Sequence, residues 1–260
     1  MVVNPVSEGW EIVFHRAHAL LATQIALRWR EEGQILRVAE TVAAIVQHDD
    51  LERELEQDRL TPAGAPMDFT LRPTDEETEI PRWQEMLDCA LHRSRWVALL
   101  TGCHILFLNA EKREESRRLD RFLRTLEEKM ERWREQLNVS EADLRRSYAF
   151  LQWCDRLSLT LVGNELPTKE RWLEISFGPD GVSYSARRCD DGTIELEPWP
   201  FDVPEFTTEV DVRLLNRLKF DHPAALQRAL EAAPVRSQEY RFRRSGSRRP
   251  KSETDPGADG

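Results

Sequence analysis

Residues 35–55 read ILRVAETVAAIVQHDDLEREL, and the spacing of the apolar side chains there predicts a helix. Ile35, Val38, Val42 and Ile45 recur every three or four residues, and Asp49 continues their stripe, the pattern of a helix face turned toward a core. A carboxylate is out of place on that stripe. Buried without a partner, it costs several kcal/mol, where an aliphatic side chain would contribute roughly 1.5–3 kcal/mol. Its neighbour His48 lies slightly off the centre of the same face.

The same conflict recurs on either side. A helix over 15–30, broken by Gly33, sets His18 among Phe14, Leu21, Ile25 and Trp29. A helix capped by Ser140, with Asp143 three residues on, places Asp155 among Leu144, Tyr148, Leu151, Leu159 and Val162. The pattern over 111–137 is an internal control: Leu119, Leu123, Leu126, Met130, Trp133 and Leu137 hold its stripe with no His or Asp, and its other face is Arg, Lys and Glu. A further helix is expected from Pro81 to about 109, carrying Trp83, Leu87, Ala90, Val97, Leu100, His104 and Phe107 inward.

Between the second and third helices, 58–81 contains Pro62, Pro66, Pro73 and Pro81 and reads as a long loop able to cover a pocket. After Pro167 the pattern shifts to short β-rich runs, RWLEISFG, VSYSARR and TIELEPWPF, separated by PDG and CDDG turn signals. VDVRLLNRLKF reads as a strand or a short helix, PAALQRALEAA as a helix and SQEYRFRR as a last strand. The expected organisation is mainly α: a helical domain over 1–166, a small antiparallel β-rich segment over 167–243 packed on it, and a disordered polar tail over 244–260.

With 260 residues, 40% hydrophobic and 32% charged, the chain is long enough to bury a substantial core. A formal charge of −10 argues against nucleic-acid polymers and anionic membranes as partners. No apolar run approaches the roughly 20 residues of a membrane span, and the first residues lack the basic and apolar regions of a signal peptide; a cytoplasmic location is expected. The four cysteines (Cys89, Cys103, Cys154, Cys189) form no CxxC pair and read as free thiols, most of them buried.

Two imidazoles and two carboxylates, His18, His48, Asp49 and Asp155, suit a first-row divalent cation, Mn, Fe, Co, Ni or Zn, better than magnesium. Each residue has a plainer alternative: His18 a core histidine bonded to a carbonyl, His48 a solvent-edge ring, Asp49 a cap on a helix that stops early, Asp155 a partner of Arg156 or Arg145. His104 divides evenly between a substrate or metal contact and a core histidine. Asp50 is a candidate base or a surface carboxylate, His15 a supporting or surface residue, His92 a polar-face residue and His222 a loop residue. Arg113, Arg117 and Arg118 read as solvated, with one of them a candidate phosphate contact, and Trp96 and Trp153 as core.

The ordered set His18, His48-Asp49, Asp155 resembles the H…HD…D signature of HD-domain metal-dependent phosphohydrolases. More narrowly, HRAHALLATQIALRW, AAIVQHDD, the Pro-rich loop ending PMDF, ALLTGCH and LQWCDRLSLTL together resemble the DUF3891 family over most of residues 9–165. The resemblance implies an HD-like helical bundle in which His18, His48, Asp49 and Asp155 hold metal. Asp50-Leu51-Glu52 follows the doublet where relatives commonly have Asp-Gly-Trp. The implied function is a hydrolase in which water activated by the metal attacks a phosphate ester or nucleotide phosphate, with His104 and Asp50 as catalytic candidates and a small phosphorylated molecule, such as a nucleotide, as substrate. The rivals are a non-catalytic HD-like module that senses a ligand and a di-iron oxygenase.

Overall fold

The computed structural model describes residues 1–30, 35–52, 54–55, 58–73 and 75–246. The helix break expected at Gly33 and most of the expected tail, 247–260, lie outside the described residues.

Six helices precede most of the sheet: α1 (His15–Ala26), α2 (Val38–Gln47), α3 (Glu76–Arg93), α4 (Arg95–Asn109), α5 (Arg117–Leu137) and α6 (Glu141–Val162). Their ends follow local chemistry. Ser140 accepts from the Asp143 amide and Ser116 from those of Arg118 and Leu119, satisfying amides that open a helix without partners. α2 stops eight residues short of its expected end. Beyond Gln47 the chain presents Asp49, Asp50 and Glu52, and acidic groups at a helix C-terminus oppose the macrodipole.

The helix expected from Pro81 to about 109 is two helices. Asp75 caps α3 by accepting from the Glu77 amide, and Glu76, Glu77 and Glu79 favour its N-terminus, so α3 starts before Pro81, which forgoes only its bond to the Glu77 carbonyl. Ser94 adopts an extended conformation, ends α3 and caps α4 through the Val97 amide, 3.1 Å away. Gly102 lets α5 approach α4, since a Cβ there would lie 2.6 Å from Met130 Sδ.

The expectation of a mainly α chain with a small antiparallel appendage is overturned. The architecture is mixed α/β, with a seven-stranded sheet curled into an open half-barrel. Its strands are β1 (Val2–Val6), β2 (Gly9–Val13), β3 (Leu173–Phe177), β4 (Ser183–Arg188), β5 (Ile194–Glu197), β6 (Glu205–Leu215) and β7 (Val235–Arg243), in the order β1-β2-β6-β7-β5-β4-β3. Two findings account for the correction. The first residues of the chain form a hairpin that joins the sheet through β2 and β6, pairing Trp10 with Leu215. The β5–β7 pairing, at Ile194 and Phe242, is parallel. Gly9 is the residue that permits the first junction, because a Cβ there would fall 1.7 Å from the Leu215 carbonyl oxygen. VDVRLLNRLKF resolves into the end of β6 and a loop, and α7 (Pro223–Ala232) follows it.

The main core lies between helices and sheet. Trp153 of α6 meets Trp29 edge-on at 4.9 Å and Tyr184 of β4 at 5.6 Å, and Phe206 stacks on Phe242 at 4.6 Å. Trp96 and Trp153 are fully buried, as expected. With α6 turning this apolar face to the sheet, Asp155 and Leu159 are left to line a cavity among the helices. Among the described residues no helix is long and apolar enough to cross a membrane. All four cysteines are free, though only Cys154 is buried.

Candidate metal centre

α1, α2, α4 and α6 bring His18, His48, His104 and Asp155 to one place, and the turn after α2 adds Asp49. Because α2 ends at Gln47, His48 is its C-cap and Asp49 sits in a turn closed by the Glu52 amide on the Asp49 carbonyl at 3.0 Å. The doublet is therefore at a helix end, and Asp49 reaches the interior from that turn rather than from a helical stripe.

His18 Nε2 lies 2.7 Å from Asp49 Oδ2, and His48 Nε2 lies 3.1 Å from Asp155 Oδ1 and 3.5 Å from Asp49 Oδ2. One ligand atom from each of His18, His48 and Asp49 falls within 4.8 Å of the others, a grouping that could hold a metal ion. Asp155 Oδ1 is 3.9 Å from His18 Nδ1. Both imidazoles are fully or nearly fully buried.

The far nitrogens decide the tautomers. His48 Nδ1 donates to the Ile45 carbonyl at 2.7 Å. With the Ser158 hydroxyl donating to the Asp155 carbonyl at 2.8 Å, its oxygen is placed to accept from His18 Nδ1, 3.0 Å away. In that arrangement each ring carries its proton on Nδ1 and turns Nε2 toward a carboxylate. A lone pair facing an ionised oxygen is repulsive, and the arrangement requires a cation between them, either a second proton or a metal.

The charges show the same demand. Burial opposes a charged ring at His48, but Asp49 and Asp155 outweigh it and push its pKa up to about 10. Burial pulls His18 and His104 down, so both are neutral near pH 7. Burial also works against ionised carboxylates, yet the histidines hold Asp49 well below the usual carboxylate range and Asp155 below it. One imidazolium faces two carboxylates, which leaves net negative charge in a desolvated place and His18 Nε2 beside Asp49 without a proton to share. Two Nε2 nitrogens and two carboxylates are a donor set that fits a first-row divalent cation.

The other candidates separate. His104 is buried with its ring centroid 5.4 Å from that of His48, and its Nδ1 is 3.4 Å from the Tyr148 hydroxyl. Asp50 turns away: its side chain pairs with Arg93 at 3.4 Å, and it does not line the cavity. His15 is buried rather than superficial, with Nδ1 3.1 Å from Glu54 Oε1 and its ring edge-on to Phe69 at 5.0 Å. His92 is exposed, and His222 caps α7 by accepting from the Ala225 amide. Arg113 and Arg118 pair with Glu127 and Glu77 and stay outside the cavity.

The centre opens onto a cavity of about 560 Å³, within the range of small-molecule sites. The Pro-rich loop lines it, supplying Arg59, Phe69, Thr70 and Arg72 to its wall. The same cavity is lined by a second charged cluster that sequence reasoning missed. Arg72 donates to Glu52 at 3.0 Å and to Glu79, Arg82 donates to Glu52 at 2.6 Å and to Glu79 at 3.1 Å, and Arg59 donates to Glu52. These arginines lie in a loop and on the polar side of a helix, where no periodicity marks them.

No curated protein and no solved structure matches the chain. The family model described as a protein of unknown function (DUF3891) matches residues 1–217, a span that takes in the N-terminal hairpin, all four His/Asp residues and the sheet through β6. The chain is a member of the DUF3891 family.

Proposed function

We propose that the protein is a metal-dependent phosphohydrolase of HD-like design, acting on a small phosphorylated molecule. The observation that carries the reading is the fixed orientation of His18 and His48. Each is held at Nδ1 by the Ser158 hydroxyl or the Ile45 carbonyl so that its Nε2 faces Asp49 or Asp155. Oriented imidazoles whose outer nitrogens are occupied are the arrangement expected of metal ligands.

His18, His48, Asp49 and Asp155 would hold the cation, with Mn, Fe, Co, Ni or Zn suiting the donors. A divalent cation bound there supplies a Lewis acid for a phosphoryl oxygen and lowers the pKa of coordinated water. His104, neutral and facing the same cavity, orients the substrate phosphoryl group through a ring nitrogen. The loop bearing Phe69 and Arg72 forms part of the cavity wall.

Elemental analysis of the wild type and of Asp49→Ala tests the centre: stoichiometric first-row metal in the first and little in the second is expected. Equal traces in both would remove the site. A metal-supplemented panel of phosphate esters and nucleotides then tests turnover. Metal retained with no hydrolysis across the panel would favour a ligand-sensing module.

A further inference from the structure

Glu52 and the turn that carries Asp49 connect the two charged clusters of the cavity. The Glu52 amide donates to the Asp49 carbonyl at 3.0 Å, so the carboxylate that gathers the arginines hangs from the same turn as a ligand of the His/Asp centre. Arg59, Arg72 and Arg82 converge on Glu52, and Arg72 and Arg82 also reach Glu79. Arg72 and Arg82 are 21% and 24% exposed, and both line the cavity.

The donors of these two arginines are only partly used. Arg72 donates through Nη1 and Nη2 to the two glutamates, and Arg82 through Nη1 and Nη2 to the glutamates and the Leu51 carbonyl. Neither spends its Nε–H, and a guanidinium carries five N–H donors in a rigid fork. Glu52 and Glu79 thus fix the planes of two guanidinium groups whose remaining donors are free to meet an anion. Such planar, oriented forks are suited to phosphoryl oxygens.

We propose that Arg72 and Arg82 form a second phosphate subsite, adjoining the His/Asp centre, so that the preferred ligand is a phosphoanhydride with two neighbouring phosphoryl groups. This inference rests on the metal reading above. One phosphoryl group lies at the centre, near His104, and the next lies against the two guanidinium groups. Asp75, Glu76 and Glu115 also line the cavity, so its carboxylates outnumber its cations and an anion is repelled while the centre holds no metal. Occupation of the arginine subsite is therefore coupled to metal at the other end.

Isothermal titration of inorganic pyrophosphate and orthophosphate into the manganese-loaded protein tests this, with metal content and unfolding midpoint measured on each sample. Pyrophosphate is expected to bind at least tenfold more tightly than orthophosphate to the wild type, and neither to bind after EDTA treatment. Arg82→Gln is expected to erase the preference for pyrophosphate while retaining its metal. Arg72→Lys, which keeps the charge but loses the fork, carries the same expectation should Arg82→Gln fail to fold. Equal affinities of the two anions for the loaded wild type, or an unchanged preference in a folded, metal-loaded variant, would overturn the subsite and leave the metal centre standing. A wild type that takes up no manganese would instead overturn the metal reading on which the subsite depends.

Discussion

The two charged clusters of the cavity are built on opposite principles. At the His/Asp centre, carboxylates exceed the charge the imidazoles can supply, and both rings are locked by outside partners, Ser158 and the Ile45 carbonyl. At the arginine cluster, Arg72 and Arg82 are held by Glu52 and Glu79, and the members lock one another. The first is left wanting a cation and the second has cationic donors to spare. Both line one cavity, and the proposed metal-bound anion would reach from one to the other.

The largest expected effect breaks the first cluster without any metal present. His48→Ala removes the ring that Asp49 and Asp155 share, and breaking a buried ionic group by deleting one partner costs about 3–5 kcal/mol; urea denaturation of the metal-free variant measures it. Next comes Ser158→Ala, which leaves every ligand in place but removes the acceptor that orients His18. Metal affinity is expected to fall about 10–100-fold, measured by competition with a chelating dye, with the fold unchanged.

Alkalinity separates the clusters. His48 has its pKa raised from its ordinary value of 6.5 to about 10, so its contribution to the metal-free protein is complete below about pH 6.5 and is lost as pH rises toward 10. Glu52 is opposed by burial but held below its ordinary value by Arg82 and Arg59. Its contribution is present above about pH 4.5 and is lost as pH falls, a direction Asp49 and Asp155 share. Denaturation curves of metal-free protein between pH 6.5 and 10 are expected to show declining stability in the wild type and a flatter profile in His48→Gln. The smallest effect belongs to an arginine outside the cavity. Arg113 pairs with Glu127 on the solvent side of α5, and exposed pairs of this kind contribute little; Arg113→Gln is expected to leave the unfolding midpoint and the metal content unchanged.

The His/Asp residues were legible because each is a polar side chain at an apolar interval, and no neighbouring signal competes with that contrast. The element under the doublet was misjudged, since the apolar spacing runs on to Leu55 while the acidic groups after Gln47 end the helix. Asp50 shares the sequence context of Asp49 but turns outward to Arg93, a difference of direction that a string of residues does not carry. Arg59, Arg72 and Arg82 were invisible for a related reason: arginine in a loop or on a helix's polar side is unremarkable until distant carboxylates are placed beside it. The sheet was half legible. Turn signals marked the C-terminal strands, but VVNPV contains Pro5, which is tolerated because β1 is an edge strand, and GWEIV acquires its role only from β6 at the other end of the chain.

That last pairing bears on how the molecule comes to be made. As the chain leaves the ribosome, β2 must wait for Leu215 to emerge before the ladder that holds it can close. Contacts of such long reach form late and slowly, and an unpaired strand is an invitation to wrong partners in the interval. A nascent chain stalled after α6 would hold every residue of the His/Asp quartet while β2 still lacked β6.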